Sequence, residues 1–162
     1  MTTPFVLDDF HIPAVLETDQ FRLRMLSVDD LEKDYDAVMT SVERLRTMFP
    51  RDPWPDENMT LEEDLEDLEW HQKEFETRSS FAYTVMNPDE NECLGCVYIY
   101  PTEKPGFDAK VYAWVRKSEF DKGLDSILFN TVKQWIAREW PFKNVAYPGR
   151  EIDWATWGPK HS

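Results

Sequence analysis

At 162 residues the chain suits one domain with its own hydrophobic core and is too short for two. A net charge of −14, from 18 basic and 32 acidic residues, argues against a nucleic-acid partner, because phosphate-backbone binding relies on clustered Lys and Arg. Apolar residues make up 41% and aromatics 14%, which excludes a disordered chain, and no apolar run reaches the roughly 18 residues of a membrane span. Residues 1–9 have neither a basic start nor an apolar centre, so no signal peptide is read and a cytoplasmic location is expected. The acidity keeps the protein soluble and would also steer a cationic substrate toward it.

Residues 1–20 carry Pro4, Phe5, Phe10, Ile12, Pro13 and Leu16 and read as an N-terminal arm laid over the domain. Phe21-Arg-Leu-Arg-Met alternates with the period of a half-buried strand. Ser27 with Asp30 starts a helix predicted over 28–39, and 41–48 continues as a second short helix. Pro50, Pro53 and Pro55 break it and leave Trp54 in a rigid loop. Thr60-Leu-Glu-Glu is a capping box for a helix running to about Thr77, with Leu61, Leu65, Leu68 and Phe75 on one face. Asp64, Glu66, Asp67 and Glu69 read as its solvated face, and His71 as an exposed histidine.

Three antiparallel strands follow over 81–86, 93–100 and 110–115, joined by Asn87-Pro-Asp-Glu-Asn and a turn over 101–106. Cys93 and Cys96 have Cys-x-x-Cys spacing, which invites a redox or metal reading. Positions three apart on a strand point to opposite faces, and no second Cys or His pair completes a metal site. They are therefore expected to be structural thiols, with no metal. A long helix starts at Gly123 or Leu124 and runs to Trp140, buried along Leu124, Ile127, Leu128, Val132, Trp135 and Ile136. Pro141 ends it. A short strand over 144–147 must lie parallel to its predecessor, because a helix crosses over between them. Pro148-Gly149 then opens a tail, 149–162, with Trp154 and Trp157.

This element order resembles the GNAT superfamily of N-acetyltransferases over residues 16–148. Two segments carry the likeness: Leu16-Glu-Thr-Asp-Gln-Phe-Arg-Leu-Arg-Met-Leu with Asp29, Asp30, Asp34 and Tyr35, and Trp114-Val-Arg-Lys-Ser-Glu-Phe-Asp-Lys-Gly-Leu. The resemblance implies an α/β (α+β) fold: a mixed, mostly antiparallel sheet with flanking helices and a splayed parallel strand pair, here truncated at the C-terminus. It implies that acetyl-CoA lies in the splay, its pantetheine arm on Trp114, Val115 and Arg116 and its pyrophosphate on Lys122, Gly123, Leu124 and Asp125. The physics at the second group is general, since a helix start offers unpaired N–H groups and a favourable dipole to an anion.

The family's loop reads Gln/Arg-x-x-Gly-x-Gly/Ala. Only Gly123 matches it; Phe120 replaces the Gln or Arg and Asp125 the last Gly or Ala, with Asp121 between. A carboxylate about 4 Å from a phosphate charge costs roughly 4 kcal/mol at an effective dielectric near 20. A helix dipole returns only about 0.3–2 kcal/mol. Lys122, Arg116 and Lys117 would offset part of that repulsion. Alternatively Asp121 or Asp125 caps the helix and fills the site with the chain's own acid. The family continues past the fifth strand with a helix and two strands that wall the acceptor site. Here the arm, the Trp154/Trp157 tail or a second subunit would supply that wall. Backbone donors near Val115 would polarise the thioester, and Tyr98, Tyr100, Asp108 and Tyr147 are the candidate acid–base groups. Two functions stand: acetyl transfer from acetyl-CoA to a small-molecule amine, or a non-catalytic GNAT-fold protein that forms a homodimer or binds another ligand, its CoA site lost.

Overall fold

In the computed structural model, residues 4–50 and 54–158 are described; Pro53, the first three residues of the arm and the last four of the tail lie outside them. The strands are β1 (Val15–Glu17), β2 (Arg22–Met25), β3 (Phe81–Met86), β4 (Cys93–Tyr100), β5 (Ala109–Val115) and β6 (Val145–Ala146). The helices are α1 (Leu31–Met39), α2 (Val42–Met48), α3 (Leu61–Glu76), α4 (Lys117–Asp121), α5 (Leu124–Glu139) and α6 (Trp154–Trp157). The six strands form one sheet in chain order, antiparallel throughout except for β5 beside β6. That parallel pair meets only at Ala109–Val145 and Lys110–Ala146, so the strands are unpaired beyond Lys110. This is the mixed sheet with a splayed parallel pair that the resemblance implied.

Each face of the sheet carries its own core. Phe21, Leu23, Tyr83 and Val97 pack under α5, whose Leu128, Val132 and Trp135 are fully buried. Leu26, Met86 and Trp114 pack on the other face under Ala37 of α1, Leu45 of α2 and Leu68 of α3. The arm covers the first core, with Phe5 stacked on Phe81 and Phe142, and Phe10 against Trp140. It also contains β1, which hairpins onto β2 and was not foreseen. Both capping boxes form, Ser27 with Asp30 and Thr60 with Glu63, each side chain accepting from the helix start while the acid accepts from the cap N–H.

Several expectations are corrected. Residues 117–121 form α4 rather than an open loop, and a 3-10 turn over Val28–Asp30 precedes α1. Ile127 is 40% exposed and Leu61 43% exposed, so neither belongs to its helix's buried stripe. Asp64 and His71 are buried instead. Asp64, Leu68, His71 and Phe75 recur at three- and four-residue spacing, so the inward stripe of α3 includes an acid and a histidine. The cysteines do not face opposite ways. Met86 pairs with Cys93 and Val85 with Gly95, which leaves Leu94 as the extra residue of a β-bulge. That residue shifts the alternation, and both thiols join the core under α1–α3.

Gly95 is required at the bulge. A Cβ there would lie 1.9 Å from the carbonyl oxygen of Trp114.

Candidate functional site

Two features flank β5: the gap left by β6 beyond Lys110, with the start of α5 in front of it, and an aromatic cleft on the opposite face that Lys110 and Tyr112 line.

Gly123, in the left-handed region at φ 89°, turns the chain from α4 into α5 and makes no side-chain cap there. The expected self-capping by Asp121 or Asp125 does not occur, because both carboxylates are held by cations. Asp121 pairs with Lys117 at 3.0 Å. Asp125 accepts from Arg150 at 2.8 and 2.9 Å and from Arg44 at 3.1 Å. Two guanidiniums thus face one carboxylate, and the helix start has a net positive surrounding rather than a repulsive one. The Phe120 ring holds the Arg44 guanidinium 3.6 Å from its centroid. Lys122 is exposed and pairs with Glu119 at 3.6 Å.

The remaining expected cofactor contacts divide. Leu124 is buried in the core. Trp114 is fully buried and donates its indole N–H to the Tyr98 hydroxyl at 3.0 Å. Arg116 turns inward, donating to Asp36 at 2.9 Å and to the Cys93 carbonyl at 3.1 Å. Its backbone N–H goes to Leu94 at 2.7 Å, so it is not a spare donor. Val115 stands in register with Gly95. In the gap itself Arg150 donates to the Ala113 carbonyl at 2.8 Å.

The cleft holds about 560 Å³. Asp67, His71 and Glu74 enter from α3, Tyr98 and Tyr100 from β4, and Lys110 and Tyr112 from β5. Trp154 closes one side, its indole N–H donating to the Met48 carbonyl at 3.2 Å and its ring packing on Tyr112 and Phe49. The tail therefore crosses the end of β5, Arg150 filling the gap and Trp154 walling the cleft. Burial holds His71 below its ordinary pKa despite Asp67 and Glu74, so it is neutral near pH 7. Its Nε2 lies 3.6 Å from Asp67, and its ring stacks on Tyr98. Burial likewise lowers Lys110, with Lys104 adding to the shift, and raises Tyr98 well above its usual range.

Of the candidate acid–base residues, Tyr98 and Tyr100 line the cleft. Tyr147 lies in the other core, against Phe129, with its pKa raised by burial. Asp108 is consumed by the loop before β6, accepting from the N–H groups of Lys143 and Asn144 at 2.8 and 3.0 Å. The cleft residues Asp67, His71 and Glu74 were missed because a run of acids on α3 reads as solvated surface. Their spacing of three and four residues was the available signal.

No protein-family model and no curated protein sequence matches the chain. Solved structures do. One is the ribosomal L7/L12 alpha-N-protein acetyltransferase RimL in complex with coenzyme A, at TM-score 0.67 and 15% identity over 82% of this chain and 73% of that one. Another is the acetyl transferase from Salmonella typhimurium that modifies the N-terminal serine of L7/L12, at TM-score 0.62 and 15% identity over 80% and 71%. The microcin C7 self immunity acetyltransferase MccE, in complex with acetyl-CoA and AMP, matches at TM-score 0.63 and 12% identity over 80% and 69%. The chain has the GNAT fold. Among the described residues β6 is followed by α6 and by no further strand of the sheet. Among the described residues no helix is long and apolar enough to cross a membrane.

Proposed function

We propose that the protein is a GNAT-type N-acetyltransferase that uses acetyl-CoA to acetylate a small cationic amine bound in the aromatic cleft. The observation that carries this reading is the parting of β5 from β6 in front of an uncapped helix start surrounded by Arg44 and Arg150. Those residues fit an anionic donor: unpaired helix N–H groups and the Arg44 guanidinium suit a pyrophosphate once Arg150 leaves the edge of β5. When bound, acetyl-CoA supplies an activated thioester to the amine. On the acceptor side Asp67 and Glu74 would hold an ammonium group among aromatic faces. Neutral His71 would accept the proton that the attacking amine must lose.

A second reading, the non-catalytic one, is favoured by one contact. Arg150 already bonds to the Ala113 carbonyl, one residue before the stretch Trp114–Arg116 where the resemblance would lay a pantetheine arm. Calorimetric titration of acetyl-CoA into the native protein and into Arg150→Ala separates the two. Binding to either, with thiol release on addition of an amine, supports the enzyme. No heat from either at millimolar ligand removes it and leaves the non-catalytic reading.

A further inference from the structure

The bulge at Leu94 brings together four ionisable side chains that the acyl-transfer reading does not use. Cys93 and Cys96 on β4 and Asp34 on α1 place one donor atom each within 4.8 Å of one another, all fully enclosed. Cys96 Sγ lies 3.6 Å from Asp34 Oδ1. Asp64 on α3 is wholly buried, neither of its carboxyl oxygens has a hydrogen-bond donor, and its carboxyl interacts directly with that of Asp34. Burying two carboxyls, with only the Cys96 thiol as a donor to Asp34 and none to Asp64, is costly, and such groups are ordinarily paired or bound to metal.

We propose that Asp34, Cys93 and Cys96, with Asp64 as fourth donor, form a closed structural site for a tetrahedral thiophilic divalent cation, zinc being the best match. Bond lengths of about 2.3 Å to sulfur and about 2.1 Å to oxygen put tetrahedral ligand atoms roughly 3.5–3.8 Å apart. The 3.6 Å between Cys96 and Asp34 already has that value and Cys93 lies within 4.8 Å of both, while Asp64 must turn toward them to complete the set. Two thiolates and two carboxylates would leave the complex with two excess negative charges. The Arg116 guanidinium, 3.1 Å from the Cys93 carbonyl, eases that charge only in part, because it is also paired with Asp36 at 2.9 Å. The sequence concealed this site because it offers no second Cys or His pair. Its oxygen ligands come from two helices, and its two sulfurs share a face only through the bulge.

The ligand set ties α1, α3 and β4 together, so loading belongs to folding rather than to a later step. The test is refolding of the reduced full-length chain with excess cobalt(II) or zinc(II). The site predicts one equivalent of cobalt per chain, with thiolate-to-cobalt charge transfer and the strong d–d absorption of tetrahedral coordination. Zinc should displace cobalt and raise Tm. Cys93→Ser and Cys96→Ser should each abolish the charge-transfer band, and Asp34→Asn should shift the d–d absorption. A natively folded wild-type protein that binds no cobalt and is purified from zinc-supplemented cells without zinc overturns the proposal. Because that readout uses the wild-type chain, a variant that fails to fold does not blur it.

Discussion

Arg150 donates to the Ala113 carbonyl at 2.8 Å across 37 residues of sequence, while the same guanidinium grips Asp125 through both terminal nitrogens. One side chain therefore links the tail, the free edge of β5 and the start of α5. Arg44, resting on Phe120, completes the arrangement from α2. The acid that would repel a phosphate is thereby turned into a clamp for two cations.

For acetyl-CoA to bond along β5, Arg150 must leave Ala113. A hydrogen bond from a charged donor is worth about 1.5–3 kcal/mol, and tenfold in affinity is about 1.4 kcal/mol. Arg150→Ala is expected to tighten acetyl-CoA binding about tenfold while lowering stability by about 1–3 kcal/mol. Arg44 stays in place to meet the phosphates. Calorimetry and urea unfolding measure the two effects, and weaker binding in the variant would make Arg150 a cofactor ligand instead.

Gly95→Ala is expected to be among the most damaging single-methyl changes, at about 3 kcal/mol or more, because its Cβ would sit 1.9 Å from a backbone oxygen. Gly106→Ala is the natural contrast. Its φ of 90° strains an alanine, but nothing lies within 4 Å of the added carbon, so about 1–2 kcal/mol is expected. Urea midpoints for the pair test whether crowding or backbone conformation dominates.

The fold was legible because its elements carry local signals: capping boxes at Ser27 and Thr60, alternation in β2, and a buried stripe on α5 ended by Pro141. The site was less so. Gly123 and the turn before α5 could be read from the chain, yet the partners of Asp125 lie 81 and 25 residues away, at Arg44 and Arg150. No local pattern links them. The Cys93/Cys96 reading failed for the same kind of reason, since strand alternation holds only while register holds, and the extra residue at Leu94 shows only once β3 is paired. On α3, charge outweighed spacing, and the inward positions of Asp64 and His71 were read as outward ones.

His71 makes stability depend on pH. Its folded pKa lies below the ordinary 6.5, so as pH falls through about 6.5 the unfolded chain takes up the proton first. Stability should decline from there and level off once the folded histidine also protonates. Above that window both states are neutral and the effect vanishes. His71→Gln should flatten the slope that begins as pH falls through about 6.5 in a series of thermal melts. Under the proposed activity the same variant should lose the acid limb of the rate profile.

Asp67 and Glu74 test the choice of a cationic acceptor. Both approach the cleft from α3, and Glu74 also accepts from the Ser80 hydroxyl at 3.1 Å. Such partly exposed acids contribute about 0.2–1 kcal/mol each to an ammonium ligand, or roughly 1.4- to fivefold. Glu74→Gln and Asp67→Asn should each raise KM for amines by that factor with kcat unchanged, the pattern of lost uniform binding. The increase should shrink as salt is added, because screening removes the same attraction from the native protein. A neutral acceptor would show neither effect. Trp70→Ala, which removes an aromatic wall that is 50% exposed, should weaken cationic ligands by a similar factor without the salt dependence. Divergence between the acid and aromatic variants with rising salt would therefore separate charge pairing from ring contact in one set of rate measurements.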